Sequence, residues 1–246
     1  YLATHYYLEK WSVTENRPLE RVGIGADYMG FGIAADGSFY SSGHSEEEPN
    51  VGLRKSVDKG KTWETMAYEG LDFHELALSN ADAGVIYAWS TPPEEFLALS
   101  QDAGQSWTRI KPAIVNTSIY TLAADQQDAA TLYVGTPSGL LVSSDRGNAW
   151  VKTPSVEGLS VIAIADDPTT PQTMYISTFQ KGFLATYDQG ETWSEQNRGL
   201  PASVRNTLLV LVVNPHNNRE IYAVTKFNTV FKYDGVEWSL VVDGGV

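Results

Sequence analysis

The chain has 246 residues, with 30 acidic against 17 basic side chains, a formal net charge of −13 and no cysteine. This balance excludes a nucleic-acid partner, whose binding depends on Lys and Arg neutralising phosphates, and argues against anionic membrane surfaces; the acidity reads as solubility. The lack of cysteine rules out disulfides and thiolate chemistry, and no stretch is long and apolar enough to form a membrane-spanning helix.

Taken in chain order, the predicted elements are short strands separated by turn-rich segments. The chain opens at Tyr1 inside a strand, YLATH, and continues through YYLEKW and PLERVG. From there one unit recurs. Each unit starts with an apolar stretch (MGFGIAA, HELALS, IYTLAA, VIAIA, LLVLVV) and a polar turn such as ADGS, NADAG, DPTTP or NPHNN. A Tyr-led strand follows, starting at Tyr40, Tyr87, Tyr133, Tyr175 and Tyr222. A third apolar stretch comes next, and then a turn closed by Trp. Short, evenly spaced strands with Gly, Asp, Asn and Pro between them argue for an all-β chain, and no helical periodicity interrupts them.

The closing turn is the most regular element. It reads SVDKGKTW, SQDAGQSW, SSDRGNAW and TYDQGETW, then KYDGVEW, one residue short. The Asp positions are Asp58, Asp102, Asp145, Asp188 and Asp234, in steps of 44, 43, 43 and 46. A fixed period in this range marks repeated supersecondary units. Asp can hydrogen-bond the backbone just ahead of it and Gly tolerates positive φ, so the motif is a hairpin turn, and these five carboxylates are assigned a structural role.

Four strands (A to D) every forty-odd residues predict β-propeller blades. Blade 2 covers Asp27–Met66, blade 3 His74–Ile110, blade 4 Ser118–Lys152, blade 5 Ser160–Glu195 and blade 6 Asn206–Val242. Blade 1 is incomplete: its innermost strand is missing and is expected just upstream of Tyr1. A start at Tyr in place of Met is expected to reflect removal of an upstream segment, by signal-peptide cleavage or by trimming. The expectation is a six-bladed propeller forming a single domain over residues 1–246.

The turn resembles the Asp-box of sialidases, other glycosidases and many non-enzymatic propellers. Together with DYMGF, FYSSGH, GLRKSVDKGKTW and DFHELAL, it makes the chain similar to bacterial Asp-box (BNR) repeat proteins labelled glycosylhydrolase-like or sialidase-like. The resemblance covers essentially the whole chain and implies an exported or cell-envelope protein of a bacterium. In these families the box lies on the outer part of a blade, away from any active site. Sialidase activity itself is not expected. The Phe-Arg-Ile-Pro motif is absent, TRIK at Thr108–Lys111 follows a box, and nothing pairs Arg21, Arg198 and Arg205. Photosystem II assembly-factor propellers share the architecture, but their basic patch has no counterpart here.

In an up-and-down blade the A–B turns and the Asp-boxes share one face, and the B–C loops and D–A links share the other. The second face carries the expected site. His5 and His44 hold the same repeat position, the fifth residue counting from the repeat Tyr; Asp27 and His74 open strands A of blades 2 and 3, with Asp72 just before. His5, Asp27, His44 and His74, with Trp89 as an aromatic surface, are the candidate ligand-binding residues at the channel mouth, and His5, His44 and His74 are candidate ligands for a divalent metal ion. The alternative is a polar lining of a water-filled channel. Register matters here, because a one-residue slip turns a strand side chain to the other face. His216, in NPHNN, falls on the opposite face as a turn residue. The acidic loops SEEEPN (Glu46, Glu47, Glu48) and TPPEE (Glu94, Glu95) read as solvated.

Three functions follow. The leading one is a non-catalytic module binding a small molecule, glycan or metal ion at the His-lined mouth. The second is a glycoside hydrolase acting on an extracellular glycan, with Asp27 and Asp72 as the required carboxylate pair and Glu46–Glu48 in reserve. The third is a protein-interaction scaffold using the acidic rim.

Overall fold

A computed structural model of the chain describes residues 1–3, 7–12, 15, 17–23, 25–28, 30–44, 50–92, 94–111 and 117–243. His5 and Glu46–Glu48 lie outside the described residues. The chain divides into two compact units, Tyr1–Pro112 and Ala113–Val246.

In the first unit, β1 (Leu2–Ala3), β2 (Leu8–Ser12) and β3 (Arg17–Val22) form a three-stranded sheet. Two four-stranded antiparallel sheets follow. One comprises β4 (Gly30–Ile33), β5 (Phe39–Ser42), β6 (Leu53–Ser56) and β7 (Glu64–Ala67). The other comprises β8 (Phe73–Leu78), β9 (Ile86–Ser90), β10 (Leu97–Ser100) and β11 (Thr108–Ile110).

The second unit has three more four-stranded sheets. The first comprises β12 (Thr121–Ala124), β13 (Leu132–Thr136), β14 (Gly139–Ser143) and β15 (Val151–Lys152). The second comprises β16 (Val161–Asp166), β17 (Met174–Thr178), β18 (Gly182–Thr186) and β19 (Ser194–Glu195). The last comprises β20 (Leu208–Val213), β21 (Ile221–Thr225), β22 (Val230–Tyr233) and β23 (Trp238–Val242). The only helical turn among the described residues is the 3₁₀ segment Pro154–Val156.

Strands pair strictly in sequence order, so each sheet is one blade and the fold is an all-β, six-bladed β-propeller, as the repeat predicts. Blade bounds match those read from the repeat to within a few residues at every end. Within each unit the core lies between successive blades. Phe73, Ala88, Phe96 and Ala98 of blade 3 pack with Leu53 of blade 2. Tyr133 and Leu140 of blade 4 pack with Val161, Ile164, Met174, Ile176 and Leu184 of blade 5. Leu208, Leu211, Val213 and Ile221 of blade 6 pack with Ala163, Tyr175 and Phe183 of blade 5. Middle strands such as β9, β13 and β17 are buried on both faces, as packing between two neighbours requires.

Innermost strands lie side by side within each unit: β4 against β8, and β12 against β16 against β20. Glycines permit the close approach. A Cβ on Gly30 would stand 2.6 Å from the Phe73 carbonyl oxygen, and one on Gly135 would stand 2.5 Å from that of Val161.

Candidate functional site

The five Asp–Gly turns are saturated with internal hydrogen bonds. Asp58 Oδ1 accepts from Ser56 Oγ at 2.8 Å and from the Thr62 N–H at 2.9 Å, and Oδ2 accepts from Thr62 Oγ1 at 2.7 Å. Asp102 does the same with Ser100 and Ser106, and Asp188 with Thr186 and Thr192. Asp145 accepts from Ser143 Oγ and the Ala149 N–H. These bonds favour the ionised form: the Thr62 backbone and hydroxyl hold Asp58 at about 2, and those of Thr192 hold Asp188 at about 2. In the shorter fifth turn Asp234 accepts the N–H groups of Val236 and Glu237 instead.

The two residues after the Asp adopt positive φ in the four full turns, for example Lys59 at 64° and Gly60 at 87°. Trp63, Trp107 and Trp150 donate their indole N–H to the carbonyls of Gly60, Gly104 and Gly147. Trp193 donates to Ser155 Oγ and Trp238 to the Gln196 carbonyl. Asp58, Asp102 and Asp188 thus have both carboxylate oxygens hydrogen-bonded within the turn, and Asp145 and Asp234 have one. In each full blade the turn joins the third and fourth strands, so it sits at the end opposite the loop between the second and third.

That opposite end carries the candidate site of the first unit. The Asp27 N–H donates to the His44 carbonyl at 2.7 Å, beyond the last β4–β5 pair and one residue out of its register, and His44 Nε2 stands 3.3 Å from Asp27 Oδ2. Asp27 is only 4% exposed, whereas the His44 side chain is half exposed. Where blade 2 meets blade 3, the Phe73 N–H donates to the buried Ser42 Oγ. This anchors the start of β8 and places Asp72 and His74 on either side of the anchored residue. His74 Nε2 lies 2.7 Å from Asp72 Oδ2. The bond to Asp72 raises the His74 pKa, and the charges of Asp72, Asp27 and Glu75 add to the shift while partial burial opposes it. Asp27, His44, Asp72 and His74 therefore gather at one end of two adjacent blades.

The other candidates fall differently. His5 lies outside the described residues, and the three-histidine metal set with it. Among the described residues no group of three or more His, Cys, Asp or Glu side chains comes together to hold a metal ion. Trp89 is 8% exposed and sits in the middle of its blade, paired with Glu75 and Leu97, so it offers no open ring face. Glu94 is exposed and bridges to Arg109 at 3.0 Å. The His216 N–H closes a turn on Asn214 Oδ1.

A backbone relation not drawn from the sequence recurs within individual blades. The Thr91 N–H donates to the carbonyl of Asp72, Phe179 to that of Ser160, and Lys226 to that of Thr207. The same two repeat positions thus face each other in blades 3, 5 and 6, and only blade 3 of these puts a carboxylate there. His74 occupies a register shift between β8 and β9, and Ile162 and Leu209 occupy the matching shifts in blades 5 and 6. The bulge at His74 therefore recurs in three blades, 3, 5 and 6; the imidazole is particular to blade 3.

An acidic group at the turn end of the second unit is also absent from the sequence reading. Asp166 Oδ2 accepts the Gln126 N–H at 2.7 Å, Asp125 Oδ2 accepts from Tyr133 Oη, and Asp167 Oδ2 accepts from Asn218 Nδ2. Asp166 and Asp167 thereby tie blade 5 to blades 4 and 6. Burial, with the charges of Asp125 and Asp167, outweighs the Gln126 bond and raises the Asp166 pKa to about 7.

No protein-family model matches the chain. A xyloglucanase of Hypocrea jecorina (strain QM6a) is 25% identical over 173 residues, which is 68% of this chain and 19% of that enzyme. The chain thus spans about a fifth of the length of the curated relative it matches. Among solved structures it is similar to a GH74 enzyme of Niastella koreensis, with a TM-score of 0.69 and 18% identity over 89% of this chain and 37% of that one. The GH74 xyloglucanase of Xanthomonas campestris gives a TM-score of 0.58 and 14% identity over 87% of this chain and 45% of its own. The extracellular domain of BT4673 from B. thetaiotaomicron gives 0.59 and 16%, over 87% of this chain and 27% of its own. At these identities the structural likenesses establish the propeller fold.

Proposed function

We propose that this propeller is a glycoside-hydrolase-like module acting on an extracellular glycan, with Asp27 and Asp72 as its carboxylate pair. The observation that carries this reading is the gathering of two carboxylates, each against an imidazole, at one end of blades 2 and 3. The xyloglucanase relation over 68% of the chain favours hydrolysis over the non-catalytic reading.

Glycoside hydrolysis needs one carboxyl group to protonate the leaving oxygen and a second to activate water or attack the sugar. Asp27 and Asp72 take these roles, and the separation of their carboxyl groups around the substrate selects inversion or retention. His74 positions Asp72 through the 2.7 Å bond. Held cationic to higher pH than a free imidazole, it also keeps a proton beside that carboxylate. His44 plays the corresponding positioning part for Asp27. An exported or cell-envelope location follows from such a substrate, and cell fractionation measures it.

The test is release of reducing ends from xyloglucan and other β-glucans by the purified chain, with Asp27→Asn and Asp72→Asn alongside. Loss of about 100-fold or more in either variant is expected. No reducing ends from any polysaccharide, or full activity in both variants, overturns the reading.

The non-catalytic module is the second reading, favoured by the deep burial of Asp27. It predicts glycan or divalent-metal binding without reducing ends, the metal held by His5, His44 and His74. Metal analysis of untagged protein beside His44→Ala tests that version.

A further inference from the structure

The second unit presents a different chemistry at the blade end equivalent to the one that bears Asp27 and Asp72. Tyr120 stands just before β12, Phe179 just after β17, and Phe227 two residues after β21, so all three lie where first strands begin and second strands end. They are 39%, 46% and 41% exposed, in a protein that buries most of its large aromatics. Tyr120 and Phe179 meet edge to face, with centroids 6.1 Å apart and planes at 74°. Two blades thus combine to hold one pair of rings.

Hydrogen bonds fix the backbone that carries these rings. The Phe179 N–H donates to the Ser160 carbonyl, the Tyr120 N–H to the Gly135 carbonyl, and the Phe227 N–H to Thr225 Oγ1. Next to Phe179, Gln180 Oε1 accepts the Ser160 N–H at 2.8 Å, and its Nε2 donates to Ser160 Oγ at 3.2 Å. Ser160 Oγ in turn donates to the Pro137 carbonyl, tying the loops of blades 4 and 5 together. Lys226 Nζ lies 4.9 Å from the Phe227 ring centroid. Exposed rings on a pre-fixed backbone, alternating with neutral hydrogen-bonding groups, mark a recognition surface.

We propose that Tyr120, Phe179 and Phe227, with Ser160, Gln180 and Lys226, form a binding platform for a neutral glycan chain, contained in the second unit. The inference rests on the reading that the substrate is a glycan. Pyranose rings present flat C–H faces that pack on aromatic rings, and hydroxyls that bond with amide and hydroxyl groups at the margin. The contributions of three consecutive blades suit a chain of several sugars over a single one. The net charge of −13, against one platform lysine, disfavours a polyanionic polysaccharide. The platform gives the second unit a gripping function distinct from bond cleavage.

Isothermal titration of the full chain with xyloglucan and mixed-linkage β-glucan oligosaccharides tests the proposal. It is carried out in the Asp27→Asn background, so that cleavage does not interfere. Tyr120→Ala, Phe179→Ala and Gln180→Ala are compared with the parent, and thermal melts verify that each is folded. Weakening by about tenfold or more in each aromatic variant, with unchanged melting temperature, is expected. Equal affinity in all variants overturns the platform while leaving hydrolysis by Asp27 and Asp72 intact. Binding that depends on Tyr120 and Phe179 without any hydrolysis by the wild type supports the platform and overturns the catalytic reading. Absence of glucan binding by every form, or capture of apolar peptides in place of glucans, overturns the platform.

Discussion

Asp72 bonds its neighbours in two directions at once: its carboxylate holds His74 Nε2 at 2.7 Å, and its backbone carbonyl accepts the Thr91 N–H at 3.0 Å. The carboxylate that orients the imidazole is thus fixed to the adjacent strand by its own main chain. A side chain two residues along can then keep its position without deep burial.

The imidazole of His74 should titrate above the ordinary histidine range in the wild type, and closer to about 6.5 in Asp72→Asn. A raised folded value means that the pair stabilises the protein fully below the unfolded pKa, and that this stabilisation is lost as pH rises through the folded value. Imidazole C–H shifts followed by NMR across pH 5–9 check both points. An unchanged titration in Asp72→Asn refutes the assignment.

Asp166 shifts stability with pH in the same direction, but through burial of its carboxyl group and not through a partner that favours the charged form. Unfolded, it releases its proton near 3.8; folded, it holds the proton to about 7. Over that window the unfolded state binds fewer protons, so stability falls as pH rises. The effect is at most about 4 kcal/mol. Asp166→Asn keeps an oxygen for the Gln126 N–H and removes the titration. It should be more stable than the wild type at pH 8 and have a flatter profile between pH 4 and 7, as measured by urea unfolding.

The turn carboxylates give the usual acid dependence. Because Thr62 and Thr192 hold Asp58 and Asp188 at about 2, their contribution is present above the unfolded carboxylate range and lost as pH falls towards 2. Asp58→Ala and Asp188→Ala should each lower Tm by about 2–4 °C at neutral pH. The loss should shrink at pH 2–3, and differential scanning calorimetry at both pH values reads it directly.

Gly30→Ala would push a methyl group to 2.6 Å from the Phe73 carbonyl oxygen, a backbone atom that no rotamer change can move aside. A destabilisation of about 1–3 kcal/mol is expected. Because Phe73 lies between Asp72 and His74, glycan turnover should fall more than stability alone explains. Gly135→Ala makes the same clash with Val161 in the second unit and serves as the control, destabilising without reaching the carboxylates.

The repeat made the blades and their turns legible in the sequence. Asp, Gly and the small hydroxyl residue satisfy one another inside a single turn, so no distant partner is needed to specify it. The limits of that locality show at Trp193 and Trp238. Their indole N–H groups go to Ser155 and Gln196 instead of to the turn glycine, partners that no spacing rule predicts. Trp89 shows a second limit. A strand buried on both faces has no alternation, so an aromatic in it looks the same from sequence whether it lines a rim or fills a core.

The sequence by itself determined the architecture: six blades, their bounds, and the end of each blade on which the five Asp–Gly turns fall. Local hydrogen bonding and a fixed period are enough for that. The repeat register also drew Asp27, His44, Asp72 and His74 to the opposite end, but tertiary structure decided which side chains there meet. It brought Asp27 and His44 together across a ladder, set Asp72 against His74, and paired Tyr120 with Phe179 from different blades. Those relations depend on how one strand is held against the next, and the spacing of residues along a chain does not encode them.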